Sequence, residues 1–316
     1  MKHRNTIFAA GLVLGLMQFP LISQAWDASG HIVIAQIAYD NLTPVAQQDV
    51  DYLIGQTDFA TTYPSFTPYI FSAPFPDYFN YVVKAPTGDT KDMFGFLRGE
   101  AKAWHYTDDP IVVGNYTPPA MSVNNSVWAI DYLVPNLSAL LAQKNYNLAA
   151  YDLIFITHIV GDIHQPLHNA TLYDSDFPNG DVGGNLYKIS SSFGAKELHA
   201  AWDESLGQFS SWKSVNAGAH PTAAQVAVVA TQFEKLCASD SKTSDLNPAD
   251  WEKESHALAV NDVYPMHNTD APAVGGALSD KYIAEGQKIA DEQMCLAGMR
   301  LANVLNKIFT TPISNS

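Results

Sequence analysis

The chain has 316 residues, of which 47% are hydrophobic and 16% charged. That balance suits a folded protein with a sizeable core and excludes a disordered one. The formal net charge of −15 argues against a broad phosphate-binding surface, although bound cations would still let an acidic protein meet a polyanion.

The opening stretch carries Lys2 and Arg4, an apolar run from Ile7 to Ile22, and then Ser23-Gln24-Ala25. A charged start, an apolar run short for a membrane span and small residues at −3 and −1 mark residues 1–25 as an export signal cut after Ala25. Cleavage would leave residues 26–316 with a free α-amine on Trp26. That amine, the Trp26 carbonyl and nearby His31 could close on one metal ion. No later segment reaches about 18 uninterrupted apolar residues, so no membrane span is expected after cleavage.

Helical periodicity then dominates. His31–Asn41 reads as a first helix closed by Asn-Leu-Thr-Pro, and Pro44 to about Ile54 as a second with proline in its first turn. Residues 57–76, rich in Pro, Thr and aromatics, read as an ordered loop with short turns. The aromatics of residues 63–81 could rim a cleft, but such loops more often simply pack. Long, largely buried helices are expected at Ser122–Ala142 and Leu148–Asp162. The stretch from Thr171 to Lys196, with turn signals around Asn185–Ser190, is the best β-hairpin candidate. Helices resume at Glu197–Ser205, Pro221–Leu236, Pro248–Asp262 and Leu278–Lys307. There are no repeats, charge blocks or Gly/Ser linkers, which favours a single mainly helical domain.

The two cysteines, Cys237 and Cys295, lie in the exported part. They could form one disulfide closing a long loop, or remain two separate buried thiols. Neither sits in a zinc-binding spacing, so any metal would be held by nitrogen and oxygen.

The histidines are placed to supply that nitrogen. His158 and Asp162 are four residues apart and share a helix face, and His199 and Asp203 repeat the spacing. His168 follows Pro166, which breaks the helix and lets the chain turn back. His105 sits in Trp-His-Tyr-Thr-Asp, and Asp77 in Phe-Pro-Asp-Tyr-Phe. One such His–Asp pair would usually be a satisfied core pair. Two pairs, a His-Gln-Pro-Leu-His tract and a histidine beside a new N-terminus are hard to explain that way.

Taken in order, these pieces resemble the zinc-dependent S1/P1 nuclease family, within the phospholipase C/P1 nuclease superfamily. The matching segments are Trp26-Asp-Ala-Ser-Gly-His31, Trp104-His105-Tyr106-Thr-Asp108, His158-Ile-Val-Gly-Asp162-Ile-His-Gln-Pro-Leu-His168, Gly183-Gly184-Asn185 and Leu198-His199-Ala-Ala-Trp-Asp203. The resemblance implies a mainly α fold with a small hairpin and three zinc ions. One ion would take Asp77, His105, His158 and Asp162. A second would take Trp26, His31 and the other oxygen of Asp162, and a third His168, His199 and Asp203. It further implies water activated between the bridged pair, with Asp77 and Asp162 as the catalytic carboxylates. The implied activity is cleavage of the P–O3′ bond of single-stranded DNA or RNA and of 3′-nucleotides, leaving 5′-phosphorylated products. Tyr106, Asp108 and Asn185 would line the base pocket. The enzyme would be a periplasmic or secreted monomer.

One departure stands out: family members often carry a basic residue one turn after the Asp77 position, where this chain has Asn80 and Tyr81, with Lys84 later. His164 reads as structural, and His220, His256 and His267, without a local partner in sequence, as ordinary surface or helix residues. Two alternatives stand beside the nuclease. A zinc phospholipase C shares the scaffold, but its segment before the first histidine resembles this chain less and it uses glutamate where Asp203 stands. A non-catalytic envelope zinc-binding protein would need the same ligands without open coordination sites.

Overall fold

Side-chain caps set where the helices begin. In the computed structural model, which describes residues 26–77, 101–212 and 221–313, Asp27 accepts from the Ser29 and Gly30 amides at 3.0 and 3.1 Å and starts α1 (Ala28–Asp40). Thr43, followed by Pro44, caps α2 (Pro44–Gln56). The export signal, Asn80, Tyr81, Lys84 and His220 lie outside the described residues. The proline- and aromatic-rich loop contains the short helices α3 (Asp58–Thr62) and α4 (Tyr69–Ser72). Its rings pack: Phe59, Tyr63, Phe66 and Phe75 meet one another and Tyr151 edge-on or tilted.

The remaining helices are α5 (Ser126–Ala142), α6 (Tyr146–Asp162), α7 (Leu198–Asp203), α8 (Ala223–Cys237), α9 (Pro248–Leu258) and α10 (Asp280–Ile308). All the expected helices are present, with ends displaced where a cap competes. For α5, Asn125 accepts from the Trp128 amide at 3.0 Å, so the helix starts there and not at Ser122. Regular winding in α9 stops at Leu258 and gives way to a widened turn, Ala259–Val263.

The small sheet differs from expectation. It pairs β1 (Pro110–Val112) with β2 (Thr171–Tyr173) in parallel, with Ile111 opposite Leu172. The expected hairpin is reduced to a single antiparallel bridge, Lys188 with Glu197. The bridge is made by Ile189 N donating to Lys196 O and Leu198 N to Tyr187 O, both at 2.9 Å, and it stops where α7 begins at Leu198. The opposite edge of the same segment is paired as well: Lys188 O accepts from Gly275 N, while Ser190 donates to Gly276 O and accepts from Leu278 N.

Helix α1 is buried on nearly every side, with Ile32, Val33, Ile34 and Ile37 inaccessible, and packs against α10, α8, α4 and α6. Helix α6 is buried from Ala149 to Asp162. Each such Ile or Leu contributes about 1.5–3 kcal/mol by leaving water, which makes α1 and α6 a rigid platform. A second core, including Leu172, Tyr187, Trp202, Tyr264 and Tyr282, lies beneath α7. Cys237, at the end of α8, is disulfide-bonded to Cys295 within α10, so the two thiols are not separate. No helix of the described residues is long and apolar enough to cross a membrane.

Candidate metal centre

Helix α6 delivers the central pair. His158 and Asp162 lie one turn apart on it, with His158 Nε2 3.2 Å from Asp162 Oδ2. The His158 Nδ1–H donates to Ala73 O at 2.9 Å, which leaves Nε2 free to face the cluster. Such a carbonyl partner fixes the tautomer of a metal-ligating imidazole. His105, at the end of a short helical turn from Ala101, places Nδ1 2.9 Å from Asp162 Oδ2 and 3.0 Å from His158 Nε2. Asp77 Oδ1 lies 3.4 Å from His158 Nε2 and 3.8 Å from His105 Nδ1. Four donor atoms therefore face one point.

Asp162 has a second oxygen, and it points elsewhere. Its Oδ1 is 3.2 Å from His31 Nε2 on α1. Both atoms are buried, and neither has a hydrogen-bond partner among the described residues. Burial alone would raise the Asp162 carboxyl, but the imidazoles of His158, His105 and His31 override it and hold it well below the usual carboxylate range. Trp26 lies fully buried beside this group, its indole donating to Gly161 O at 3.1 Å.

The third group sits at the start of the second core. His199 and His168 face each other through Nε2 at 3.1 Å, with Asp203 Oδ2 3.5 Å from the former and Oδ1 3.8 Å from the latter. The far nitrogens are tied to carbonyls: His168 Nδ1 donates to His105 O, and His199 Nδ1 to Gly183 O. Gly183 has φ +60°, and a Cβ there would stand 2.6 Å from Leu167 O, so only glycine brings that carbonyl to His199. The His105 and His168 segments are laced together, because Thr107 N also donates to His168 O at 2.7 Å.

These contacts suit bound cations better than a metal-free network. Two ring nitrogens facing each other at about 3 Å need an intervening proton or metal, and an orphaned buried carboxylate oxygen beside an orphaned imidazole is costly. Each triad His31–Asp77–His158, His105–His158–Asp162 and His168–His199–Asp203 has ligand atoms within 4.8 Å of one another. With only imidazole and carboxylate donors, the set fits zinc.

Residues 26–310 match the sequence profile described as S1/P1 Nuclease. The chain belongs to the S1/P1 nuclease family. Membership makes it a nuclease hydrolase of a zinc-dependent family and sets aside the phospholipase C alternative. It is 26% identical to Endonuclease 3 of Arabidopsis thaliana over 230 residues, 72% of this chain and 68% of that protein. Endonuclease 2 of the same plant is 27% identical over 184 residues, 54% of this chain and 56% of its own length. Nuclease S1 of Aspergillus oryzae is 25% identical over 327 residues, covering 97% of this chain and 98% of that protein.

The expected pocket residues come from two segments, Tyr106 and Asp108 after His105 and Asn185 after the Gly183 turn. Tyr106 is about one-third exposed on the loop after His105. Asp108, also exposed, accepts from Thr171 Oγ1 at 2.9 Å. Burial first, and then the Asp108 charge, push the Tyr106 phenol up. Asn185 follows the Gly183 turn and donates its side-chain amide to Val182 O at 2.8 Å. His164 stays out of the clusters: it donates to Val160 O at 2.7 Å and accepts from buried Arg300 at 2.9 Å. Burial, then Arg300, push its imidazole down to about 3.

Three residues escaped the sequence reading. Asp27, besides capping α1, donates its amide to Asp203 O at 2.8 Å and so ties the chain around Trp26 to α7. Gln165 donates to Asp203 Oδ1 at 2.6 Å; its place inside His-Gln-Pro-Leu-His was the available signal. His256 is not without a partner, since its Nδ1 lies 2.9 Å from Asn169 O.

Proposed function

We propose that the chain is a zinc-dependent phosphodiesterase and 3′-nucleotidase that cleaves the P–O3′ bond of single-stranded DNA or RNA and of 3′-nucleotides, releasing 5′-phosphorylated products. The observation that carries this reading is the divided carboxylate of Asp162, one oxygen toward His105 and His158 and the other toward His31. Asp77, His105, His158 and Asp162 would hold one zinc ion. The Trp26 amine and carbonyl, His31 and Asp162 would hold a second, and His168, His199 and Asp203 a third.

When bound, zinc supplies a water acidic enough to act as hydroxide near neutral pH and positive charge for the phosphate oxygens. The chain's own part is positioning. Ala73, His105 and Gly183 carbonyls fix the tautomers of His158, His168 and His199, and Gln165 orients Asp203. Tyr106 offers a face on which any base stacks for about 1–3 kcal/mol, which suits broad sequence tolerance. Asp108, oriented by Thr171, can accept from a base edge. Asn185 would have to release Val182 O to reach substrate.

The same reading takes residues 1–25 as an export signal and 26–316 as one catalytic domain, acting as a monomer in the periplasm or outside the cell. The disulfide supports an oxidising compartment.

The test is a substrate panel on protein starting at Trp26: single- and double-stranded DNA, RNA, 3′-AMP, 5′-AMP and phosphatidylcholine. Cleavage of single strands and 3′-AMP with 5′-phosphate ends is expected. Zinc-loaded protein inert on every nucleic acid and nucleotide would instead favour a non-catalytic zinc-binding protein.

A further inference from the structure

Beyond the three clusters, another group of metal-type donors lies on α9. Glu252 and His256 are four residues apart there, the spacing already used by the two His–Asp pairs. Asp109 meets them from the loop that follows His105. One ligand atom from each of the three lies within 4.8 Å of the others.

Glu252 is only 8% exposed, and its Oε1 has no hydrogen-bond partner among the described residues. A buried acceptor left bare is costly unless a proton or a cation meets it. The nearest like charge worsens matters: burial first, and then Asp109, push the Glu252 carboxyl up to about 7. Lys253, the following residue, is paired with Asp250 instead. His256 Nδ1 donates to Asn169 O at 2.9 Å, which leaves Nε2 as the nitrogen that could take a cation, the arrangement backbone carbonyls give metal-ligating histidines.

We propose that Asp109, Glu252 and His256 form a separate structural site for a divalent transition-metal cation. Two carboxylates and an imidazole suit zinc or manganese and disfavour magnesium, which keeps to oxygen ligands. Its place in the chain gives it a consequence. Asp109 adjoins Asp108 and Asn169 adjoins His168, so a cation here would clamp the loop carrying Tyr106 and the turn carrying His168 onto α9. The catalytic groups need not be occupied for this site to exist.

Crystals of protein beginning at Trp26, equilibrated with zinc chloride and then washed free of excess metal, would be measured above and below the zinc edge. An anomalous peak among Asp109, Glu252 and His256 is expected in the parent, and should be absent in Glu252→Gln and His256→Ala. By metal analysis each variant should hold about one zinc fewer than the parent, with the peaks at the three other groups kept. No peak at this position in the parent, or an unchanged peak in both variants, overturns the proposal. The peaks at the His31–His158 and His168–His199 groups, read from the same maps, report on the catalytic centre independently.

Discussion

A Cβ on Gly161 would stand 2.8 Å from Nδ1 of His31, a separation that real side chains do not tolerate. The bare glycine before Asp162 is what lets the His31 ring lie flat on α6, where it stacks on His158 with centroids 3.9 Å apart and planes 16° from parallel. Gly161→Ala therefore sets helix propensity, which favours alanine by about 1 kcal/mol, against the position of a ligand. Expected is a folded protein with zinc affinity or turnover lowered roughly 10- to 100-fold, the range for disturbed ligand orientation. Parental rate and zinc content in this variant would mean that the ring position is not critical.

The N-terminus gives a second prediction. Trp26 is locked by burial and its bond to Gly161 O, while Asp27 is held by both α1 and Asp203. One extra residue before Trp26 should leave helical content and the melting curve near the parent's, yet reduce zinc content and activity severely. A fully active extended protein would remove the terminal amine from the ligand set.

Much of this was legible in the sequence, and the reasons are local. The His–Asp pairs of α6 and α7 follow from helical geometry alone, and Pro166 forces the turn that returns His168. Helix ends were less legible, because Ser122 and Asn125 are both plausible caps and only packing chooses between them. The hairpin stays a single bridge because the returning strand winds into α7 at Leu198, and the segment's other edge pairs with residues 275–278, a long-range pairing that no local pattern announces. His256 was passed over for the same reason: its neighbours Asp109 and Asn169 arrive from distant parts of the chain. The Cys237–Cys295 bond likewise depends on α8 and α10 lying side by side.

Asp152 predicts a pH dependence away from the metals. It is buried on α6 and accepts from Asn136 at 2.6 Å, and burial pushes its carboxyl from 3.8 up to about 7. An acid whose folded value lies above its unfolded one binds its proton more tightly when folded. Its stabilising contribution is thus complete below about pH 4 and is lost as pH rises toward 7. Asp152→Asn keeps a hydrogen-bonding side chain but removes the charge. At pH 7 it should raise stability by about 1 kcal/mol or more, roughly 2–4 °C in melting temperature, and the gain should vanish at pH 4. A variant less stable at pH 7 contradicts this.

The disulfide spans 58 residues of sequence, so its removal frees a long loop in the unfolded chain. The double substitution Cys237→Ser and Cys295→Ser should cost about 2–4 kcal/mol in chemical denaturation. Zinc content and activity at 25 °C should remain, since neither sulfur touches the histidine clusters. Loss of metal at temperatures where the protein stays folded would show that the α8–α10 tie reaches the centre.

The central claim is that Asp162 serves two ions at once. Metal analysis of protein beginning at Trp26 and of its Asp162→Asn variant, prepared side by side, is the direct test. The variant should hold about two fewer zinc ions per chain than the parent and cleave no single-stranded DNA, with its helical signal intact. Equal zinc in both, or retained cleavage, would contradict it.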